Sequence, residues 1–550
     1  MKRILLFIAI VAMFVANGLA GSPKWMKTAG KSMLTLNVLQ QGGDTLRANA
    51  FFLNATGSVV APFKAIQQAR KAWVTDATGK EFEVCRILGF NSTYNVVLLQ
   101  TIVDKKKTVA LPTLTDSLSK GTIVMTMPLG EQDEIVQVER AGEYGYYTLK
   151  SAVSKEREGM PVVDAQGRLV AVMQSPIVAD NAPNYALDIR MPMAMTIRPI
   201  DANNADLRSC SILKQLPSDE AQATTFLYLL TSTSPENRIT YADEFIKLFP
   251  QSSTGYTQKA DALIAERRMD AAEETLAKAM NECGKKDEIL YARSRAIYNG
   301  VLQADSLPEG WTLDEALSDI AKAYEINALP LYLLHEAHVL YAAKRFDEAC
   351  VKFLACNQTD MRSAELFIYA WQCRKAAGIV GDSLLALNDS AVACFTKPYP
   401  TAAAPYLYLR ANTLVENKRI REAINDLNDY EHLMHGQLTA EFYYQREQFE
   451  SQVRMLGPAV NDIQRAITLA PNEPYFHAEM ATLLFRLNDM DGAINSCKKA
   501  IELNDSLADA YRIWGICLRE KGDLTGARKQ LIHAQELGDT LAGGILENMR

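Results

Sequence analysis

Pairs of small residues seven apart recur through the second half of the chain and leave it little choice of fold. They are Ala272 and Ala279, Ala316 and Ala323, Ala349 and Cys356, Ala386 and Ala393, Ala459 and Ala466, Ala493 and Ala500, and Ala527 and Ala534. Ala242 with Phe249 and Ala423 with Tyr430 keep the spacing with a bulkier second member. The first members step by 30, 44, 33, 37, 37, 36, 34 and 34 residues. A period near 34 with two helix-sized halves is the pattern of a helical hairpin repeat. Small side chains at these points let helices approach closely. Such an array presents a surface, and the first 200 residues are read as something attached to it.

Length and charge bound the rest. The 550 residues are enough for several cores. The formal charge of −7 leaves no basic footprint for nucleic acid. Residues 1–20 read as a signal peptide: Lys2 and Arg3, an apolar run over 4–15, then Asn17, Gly18, Leu19 and Ala20, with cleavage after Ala20. The run is short for a bilayer span, an uncleaved anchor being the alternative, and no later stretch reaches spanning length. The expectation is a periplasmic or secreted protein. Its nine cysteines are dispersed, without a C-x-x-C pair, and read as small buried thiols rather than a disulfide framework. No cofactor or metal motif occurs; His335 and His338 share a helix face but lack a third ligand.

From residue 21 to 200 the hydrophobic period is two. Strands are expected over 33–39, 50–53, 83–88, 122–127, 135–139, 146–150 and 169–173, an all-β barrel or sandwich pattern. Three segments carry a more specific signal. Phe51-Phe52-Leu53-Asn54-Ala55-Thr56-Gly57-Ser58-Val59-Val60-Ala61-Pro62-Phe63-Lys64 is the first, and residues 81–99, ending Asn95-Val96-Val97-Leu98-Leu99, are the second. Glu156-Arg157-Glu158-Gly159-Met160-Pro161-Val162-Val163 with its following hairpin is the third, and Asn184-Tyr185-Ala186-Leu187 closes the set. In order and spacing these resemble trypsin-like serine peptidases of the HtrA kind, which implies a double β-barrel. Carried over residue by residue, the resemblance puts Lys64 at the catalytic His position, Asn95 at the Asp and Glu158 at the Ser. Glu156 and Met160 stand where that family has Gly. Peptide hydrolysis by this template needs a nucleophile, a base with a pKa near working pH and an acid that orients it. None of the three replacements supplies these roles. All six histidines lie at or beyond His335, so no change of register restores a base. A Ser154–Lys64 dyad is the remaining catalytic arrangement and needs a depressed Lys pKa. The expectation is a pseudoprotease in which Lys64 and Glu158 form an ion pair, with Asn95 bonded behind it.

Residues 201–222 are polar and turn-rich and read as a linker, with a short helix over 207–216 and Ser218 as a helix cap. Residues 223–541 read as about nine hairpins, and 542–550 as a capping helix. The copies at Ala481-Thr482-Leu483-Leu484 and Gly515-Ile516-Cys517-Leu518, with Ala493 and Ala527 after their turns, resemble tetratricopeptide repeats. Arg374 and Glu447 stand where a small residue is expected. The resemblance implies a superhelix with a concave wall on which Tyr408, Tyr444, Tyr475, Phe485, Arg512 and Arg519 face a peptide or protein partner; a register error turns the same residues into packing. Seven Asp-Ser/Thr-aliphatic triplets, such as Asp116-Ser117-Leu118 and Asp505-Ser506-Leu507, resemble a periplasmic O-glycosylation motif, and equally suit helix caps. The sequence therefore reads as an exported interaction scaffold, an inactive trypsin-like domain fused to a repeat array, with an envelope hydrolase using displaced or partner-supplied residues as the alternative.

Overall fold

The computed structural model describes residues 24–103, 109–152, 154–174, 183–230, 233–303, 306–435 and 437–549. The leader and its cut after Ala20 lie outside them. The chain falls into two compact units, Met1–Glu309 and Gly310–Arg550.

In the first unit, helix α1 (Lys24–Ser32) leads into strands β1 (Met33–Gln40), β2 (Thr45–Phe52), β3 (Ser58–Ala61), β4 (Ala69–Asp76), β5 (Glu81–Asn91) and β6 (Val96–Thr101). They close as a barrel in the order β1-β2-β3-β6-β5-β4. Strands β7 (Ile123–Thr126), β8 (Glu131–Ala141), β9 (Tyr144–Ala152), β10 (Pro161–Val163), β11 (Leu169–Gln174) and β12 (Pro183–Asp188) close a second barrel in the order β10-β11-β12-β9-β8-β7. Alternation dictates the inside: β1 buries Leu34, Leu36 and Val38 and pairs antiparallel with β2, Leu36 opposite Ala48. Strand β4 escapes a hydrophobic-period reading because two of its buried residues are Ala69 and Ala72, beside exposed Arg70 and Lys71. A shared apolar cluster joins the barrels, with Phe51, Val60 and Leu98 from the first and Met127, Val163 and Leu187 from the second. It presses the loop before β10 onto the first barrel.

The helix expected over 207–216 does not form. A 3-10 turn at Ala205–Leu207 gives way to an extended run along β5. There Ile87 N–H donates to Leu213 O at 2.9 Å and Gln215 N–H to Ile87 O at 2.8 Å, so the strand's backbone groups find partners. Nor does Ser218 cap the next helix. After the short α2 (Arg190–Ala194), helix α3 (Glu220–Leu229) is capped by Asp219, which accepts from Gln222 N–H at 3.0 Å. Phe226 of α3 and Tyr241 and Phe245 of α4 (Pro235–Leu248) share one core with Val74, Phe82 and Ile87 of the first barrel. Arg86 pairs with Glu244, and Lys214 N–H donates to Tyr241 Oη at 2.7 Å. Barrel and first helices are thus packed as one body. Helices α5 (Ser253–Ala265), α6 (Met269–Glu282) and α7 (Lys286–Gln303) complete the unit's described helices.

The second unit starts with α8 (Leu313–Ile326). Six hairpins follow: α9 (Pro330–Ala342) with α10 (Phe346–Cys356), α11 (Ala364–Ala376) with α12 (Asp382–Val392), α13 (Ala404–Glu416) with α14 (Ile420–Met434), α15 (Ala440–Gln452) with α16 (Leu456–Leu469), α17 (Pro474–Arg486) with α18 (Met490–Leu503), and α19 (Ala508–Glu520) with α20 (Leu524–Glu536). Five of the turns between partners share one geometry. A residue of positive φ stands two before the second helix, at Lys344, Lys418, Arg454, Asn488 and Gly522. The next N–H bonds back to a first-helix carbonyl, as Arg345 to Leu340 at 2.9 Å and Asp523 to Leu518 at 3.0 Å, which satisfies groups a helix end leaves open. The small pairs fill the contacts: Ala349, Cys356, Ala459, Ala466, Ala493, Ala500, Ala527 and Ala534 are fully buried. One pair is displaced. Ala386 and Ala393 are exposed, while Leu385 and Val392 of α12 are buried, and Cys373 of α11, not Arg374, takes the small-residue position. The final helix, α21, spans Thr540–Glu547, because Asp539 accepts from Leu541 and Ala542 N–H and starts it there.

Candidate functional site

Lys64, Asn95 and Glu158, the residues that the resemblance singles out, come together where the barrels meet. Lys64 lies in a 3-10 turn, Phe63–Ile66, directly after β3 and Pro62. Asn95 ends the turn between β5 and β6 at φ 46°, a left-handed conformation that Asn tolerates better than most residues. That geometry aims its side chain across the junction. Its Oδ1 accepts from Lys64 N–H at 2.8 Å, its carbonyl accepts from Phe63 N–H at 3.2 Å, and its Nδ2 donates to Glu158 Oε1 at 2.5 Å. The expected Lys64–Glu158 ion pair is absent: Lys64 is exposed and forms no ion pair among the described residues, and Glu158 is held by Asn95 instead.

Asn49 of β2 is a second clamp that the sequence reading missed. Its Nδ2 donates to Glu156 O and Glu158 O, both at 2.8 Å. Gly159 follows at φ 75°, and a Cβ there would sit 2.7 Å from Asn49 O and 2.9 Å from the Pro62 ring. The loop therefore lies against the first barrel as closely as backbone permits. Arg157 N–H closes on Ser154 O at 3.1 Å, and the Arg157 side chain pairs with Glu131. Beside the junction Tyr94, Tyr146 and Tyr185 stack with centroids 5.6 Å apart at each step. Burial and the two flanking tyrosines push the Tyr146 phenol up to about 12. Chemically the set is the Asn95 amide bonded to the Glu158 carboxylate on one side and to the Lys64 backbone N–H on the other, with the Lys64 ammonium exposed.

The six residues expected on the repeat surface have varied surroundings. Tyr475 is 56% exposed. Tyr408 packs at a tilt against Tyr430 and Tyr444 against Phe476, at 5.1 and 5.2 Å between ring centroids. Phe485 packs on the cluster of Ala481, Ile494 and Ile513. Arg512 is bound to Asp539 at 2.6 Å, and Arg519 to Glu520 at 2.8 Å.

Helix α15 holds what a hydrophobic-period reading passes over. Arg446 is buried and donates to Asp462 at 2.6 and 2.8 Å and to Asn428 Oδ1 at 3.0 Å, and it pairs with Glu431 at 2.7 Å. Next to it Glu447 is fully buried: Oε2 accepts from Gln448 Nε2 at 2.6 Å, while Oε1 has no hydrogen-bond partner. Glu450, one turn on, is buried with Oε2 unpartnered. Burial first, then Glu479, pushes the Glu447 carboxyl up to about 7; burial and then Asp462 do the same for Glu450. The signal in the sequence was the run of charges on a face that should be apolar.

Residues 476–506, the hairpin of α17 and α18, match the tetratricopeptide repeat family model. Among curated proteins, an E3 ubiquitin-protein ligase CHIP of Arabidopsis thaliana is 30% identical over 82 residues. That match covers 15% of this chain and 30% of that protein, so the chain spans under a third of the curated relative's length. Among solved structures, the active form of the Rv3671c protease from M. tuberculosis is 15% identical at a TM-score of 0.27, covering 32% of this chain and 86% of that one. YrrB, described as a TPR protein with an unusual peptide-binding site, is 16% identical at a TM-score of 0.26, covering 42% and 97%. Two closed six-stranded barrels and an array of helical hairpins, one of which matches the repeat family, fit a trypsin-like domain followed by tetratricopeptide repeats.

Proposed function

We propose that this chain is an exported interaction scaffold: the repeats bind a protein or peptide partner, and the double barrel is a rigid, non-catalytic foot. The observation that carries the reading is the content of the barrel junction. Asn95 bonds both to the Lys64 backbone and to Glu158, the three residues that the resemblance aligns with a catalytic triad, and the first histidine of the chain is His335. A glutamate carboxylate held by an amide is a poor acyl acceptor, and hydrolysis by this template needs an activated nucleophile beside a base. The shared core between the first barrel and helices α3 and α4 supports a foot fixed to the start of the array.

Export rests on the leader read in residues 1–20, and no helix of the described residues is long and apolar enough to cross a membrane. The Asp-Ser/Thr-aliphatic triplets suit O-glycosylation to the extent that Thr45, Ser117, Ser383, Ser506 and Thr540 are exposed. Asp539, however, caps α21 as the alternative reading of these triplets requires.

The test is a parallel assay of the full mature chain. A fluorophosphonate probe and a casein substrate report hydrolysis, and affinity capture from an envelope extract of the native host reports binding. No labelling, no cleavage and a reproducibly retained partner are expected. Labelling or cleavage lost on changing Lys64, Glu158 or Ser154 overturns the reading in favour of a hydrolase. Intact-mass measurement of the host protein, with or without discrete sugar increments, decides the glycan question.

A further inference from the structure

Three acidic side chains stand on the first helices of three successive hairpins: Glu447 on α15, Glu479 on α17 and Asp509 on α19. They face one another closely enough to interact. Burial and then Asp509 push the Glu479 carboxyl up, as burial and Glu479 do for Glu447. Like charges at such range cost free energy unless something neutralises them.

Arg486 and a hydrogen bond from Gln448 pull the Glu447 and Glu479 carboxyls back down, which offsets only part of that cost. None of the three carboxyls forms an ion pair among the described residues of this unit, and the nearby cations are committed elsewhere. Arg446 is saturated by Asp462, Glu431 and Asn428. Arg486 donates to the Ser451 hydroxyl and, at 3.1 Å, to the Ser451 carbonyl. Arg512 holds Asp539. At the back of the group sits the fully buried Glu447, with one oxygen lacking any hydrogen-bond partner. A buried polar atom of that kind is rare and calls for a partner. Asp509 is exposed and Glu479 half-buried, so the group opens outward from Glu447.

The surroundings suit one kind of occupant. Tyr444 lies beside the three carboxyls, its own phenol pushed up by burial and then by Glu479, Glu447 and Asp509. Its ring packs at a tilt against Phe476, and Tyr475 is exposed on the same helix. Aromatic faces next to carboxylates receive the aliphatic stem and charged head of a lysine or arginine, and give extended peptide an apolar rest. A bare metal ion fits less well, since no group of three His, Cys, Asp or Glu among the described residues is arranged to hold one.

We propose that the face formed by Glu479 and Asp509, backed by the buried Glu447, is the specificity site of the array and takes a basic side chain of an extended peptide. The inference rests on the scaffold reading above. Docking a cation there favours the ionised carboxyls, so binding expels a proton. The groups that set its release are Glu447 and Glu450 with Arg446 on α15, Glu431 on α14, Asp462 on α16, Glu479 and Arg486 on α17, and Asp509 on α19.

The test is calorimetry on the full mature chain with an alternating alanine–lysine peptide, its alanine–glutamate counterpart and spermidine. Titrations are run near neutral pH in two buffers of different ionisation enthalpy. The lysine peptide binds, the glutamate peptide does not, and the heats reveal a proton released to buffer. Glu479→Gln with Asp509→Asn weakens binding about tenfold or more, the worth of a charge-assisted contact, and leaves the helical ellipticity unchanged. No binding of the lysine peptide, equal binding of both peptides, spermidine matching the peptide, or an unchanged affinity in the double variant overturns the site. If the native partner is still captured by that double variant at full strength, the site is wrong and the scaffold stands. If no partner is captured by the native chain either, the scaffold itself is wrong.

Discussion

Replacing Glu447 with Gln should make the array less sensitive to pH. Glu447 is fully buried and its carboxyl is pushed from 4.5 up to about 7 by burial and by Glu479. In the unfolded chain it titrates near the ordinary value, so between the two pH values the folded state binds the extra proton. Stability then falls as pH rises from about 4.5 to 7, and is flat below and above that window. Ionising the buried group costs about 3 kcal/mol, a loss of stability felt in full above pH 7. Glutamine cannot ionise, and its oxygen still accepts the bond that Gln448 donates at 2.6 Å. The experiment is urea unfolding of native and Glu447→Gln protein, followed by helical ellipticity at pH 4.5 and pH 8. The difference between the two proteins should move by about 3 kcal/mol in favour of the variant across that range. Comparing the two cancels the titrating groups that do not interact with Glu447. A difference that moves by less than about 1 kcal/mol means that Glu447 ionises as freely in the fold as out of it, and the buried-carboxyl argument fails.

Three other perturbations test separate parts of the fold. Arg446→Ala leaves Asp462 buried without its cation and should cost about 3–5 kcal/mol in urea unfolding, whereas Arg446→Met with Asp462→Leu should recover most of that loss. Gly159→Ala forces a Cβ into Asn49 O at a φ of 75° and should cost about 1–3 kcal/mol, read as a lowered unfolding midpoint in tryptophan fluorescence. Lys418→Gly relieves a left-handed lysine at φ 60° and should raise the midpoint of the helical transition by about 0.5–1 kcal/mol, since glycine's larger unfolded-state entropy offsets part of the gain.

The repeats were legible because their defining contact tolerates few residues. Where two helices cross closely, only a small side chain fits, and that demand prints a pair seven apart on each second helix. Its weakness is that composition alone does not fix register. In α12 the exposed Ala386 and Ala393 imitate the pair one residue away from the buried Leu385 and Val392. The slip made Arg374 look like a misfit, when Cys373 fills the place and Arg374 reaches out to Asp347 at 3.2 Å. A turn rule corrects it once the helix starts are known. In the hairpins that follow the common pattern, the first residue of the small pair is the fourth of the second helix, as Ala349, Ala423, Ala459, Ala493 and Ala527 are. Counting from the Asp382 helix start gives Leu385. The barrels were legible in their strands and in the convergence of Lys64, Asn95 and Glu158. Their pairing was not, because an ion pair and an amide bridge can be drawn from the same three letters, and the left-handed backbone at Asn95 decides between them.

Glu447 is the case in which the misfit was real. With the register corrected, the small-residue place on the first helix is taken by Ala337, Cys373, Ala411, Glu447, Ala481 and Gly515. Glutamate alone there is large and ionisable, and it is followed after three residues by the equally buried Glu450. A stabilising core would put alanine in that place, because burying a carboxyl without a full set of hydrogen bonds costs free energy, most of all where the pH is high enough to ionise it. Arg446 does not explain it, since that guanidinium is already spent on Asp462 and Glu431. The residue breaks the repeat's own rule in the hairpin whose two successors carry Glu479 and Asp509, which extend the same charge toward solvent. A local violation of packing that is continuous with an acidic surface group lacking an ion-pair partner is what a binding site leaves in a repeat, because the array's stability can be shared among neighbouring hairpins while the site's chemistry cannot.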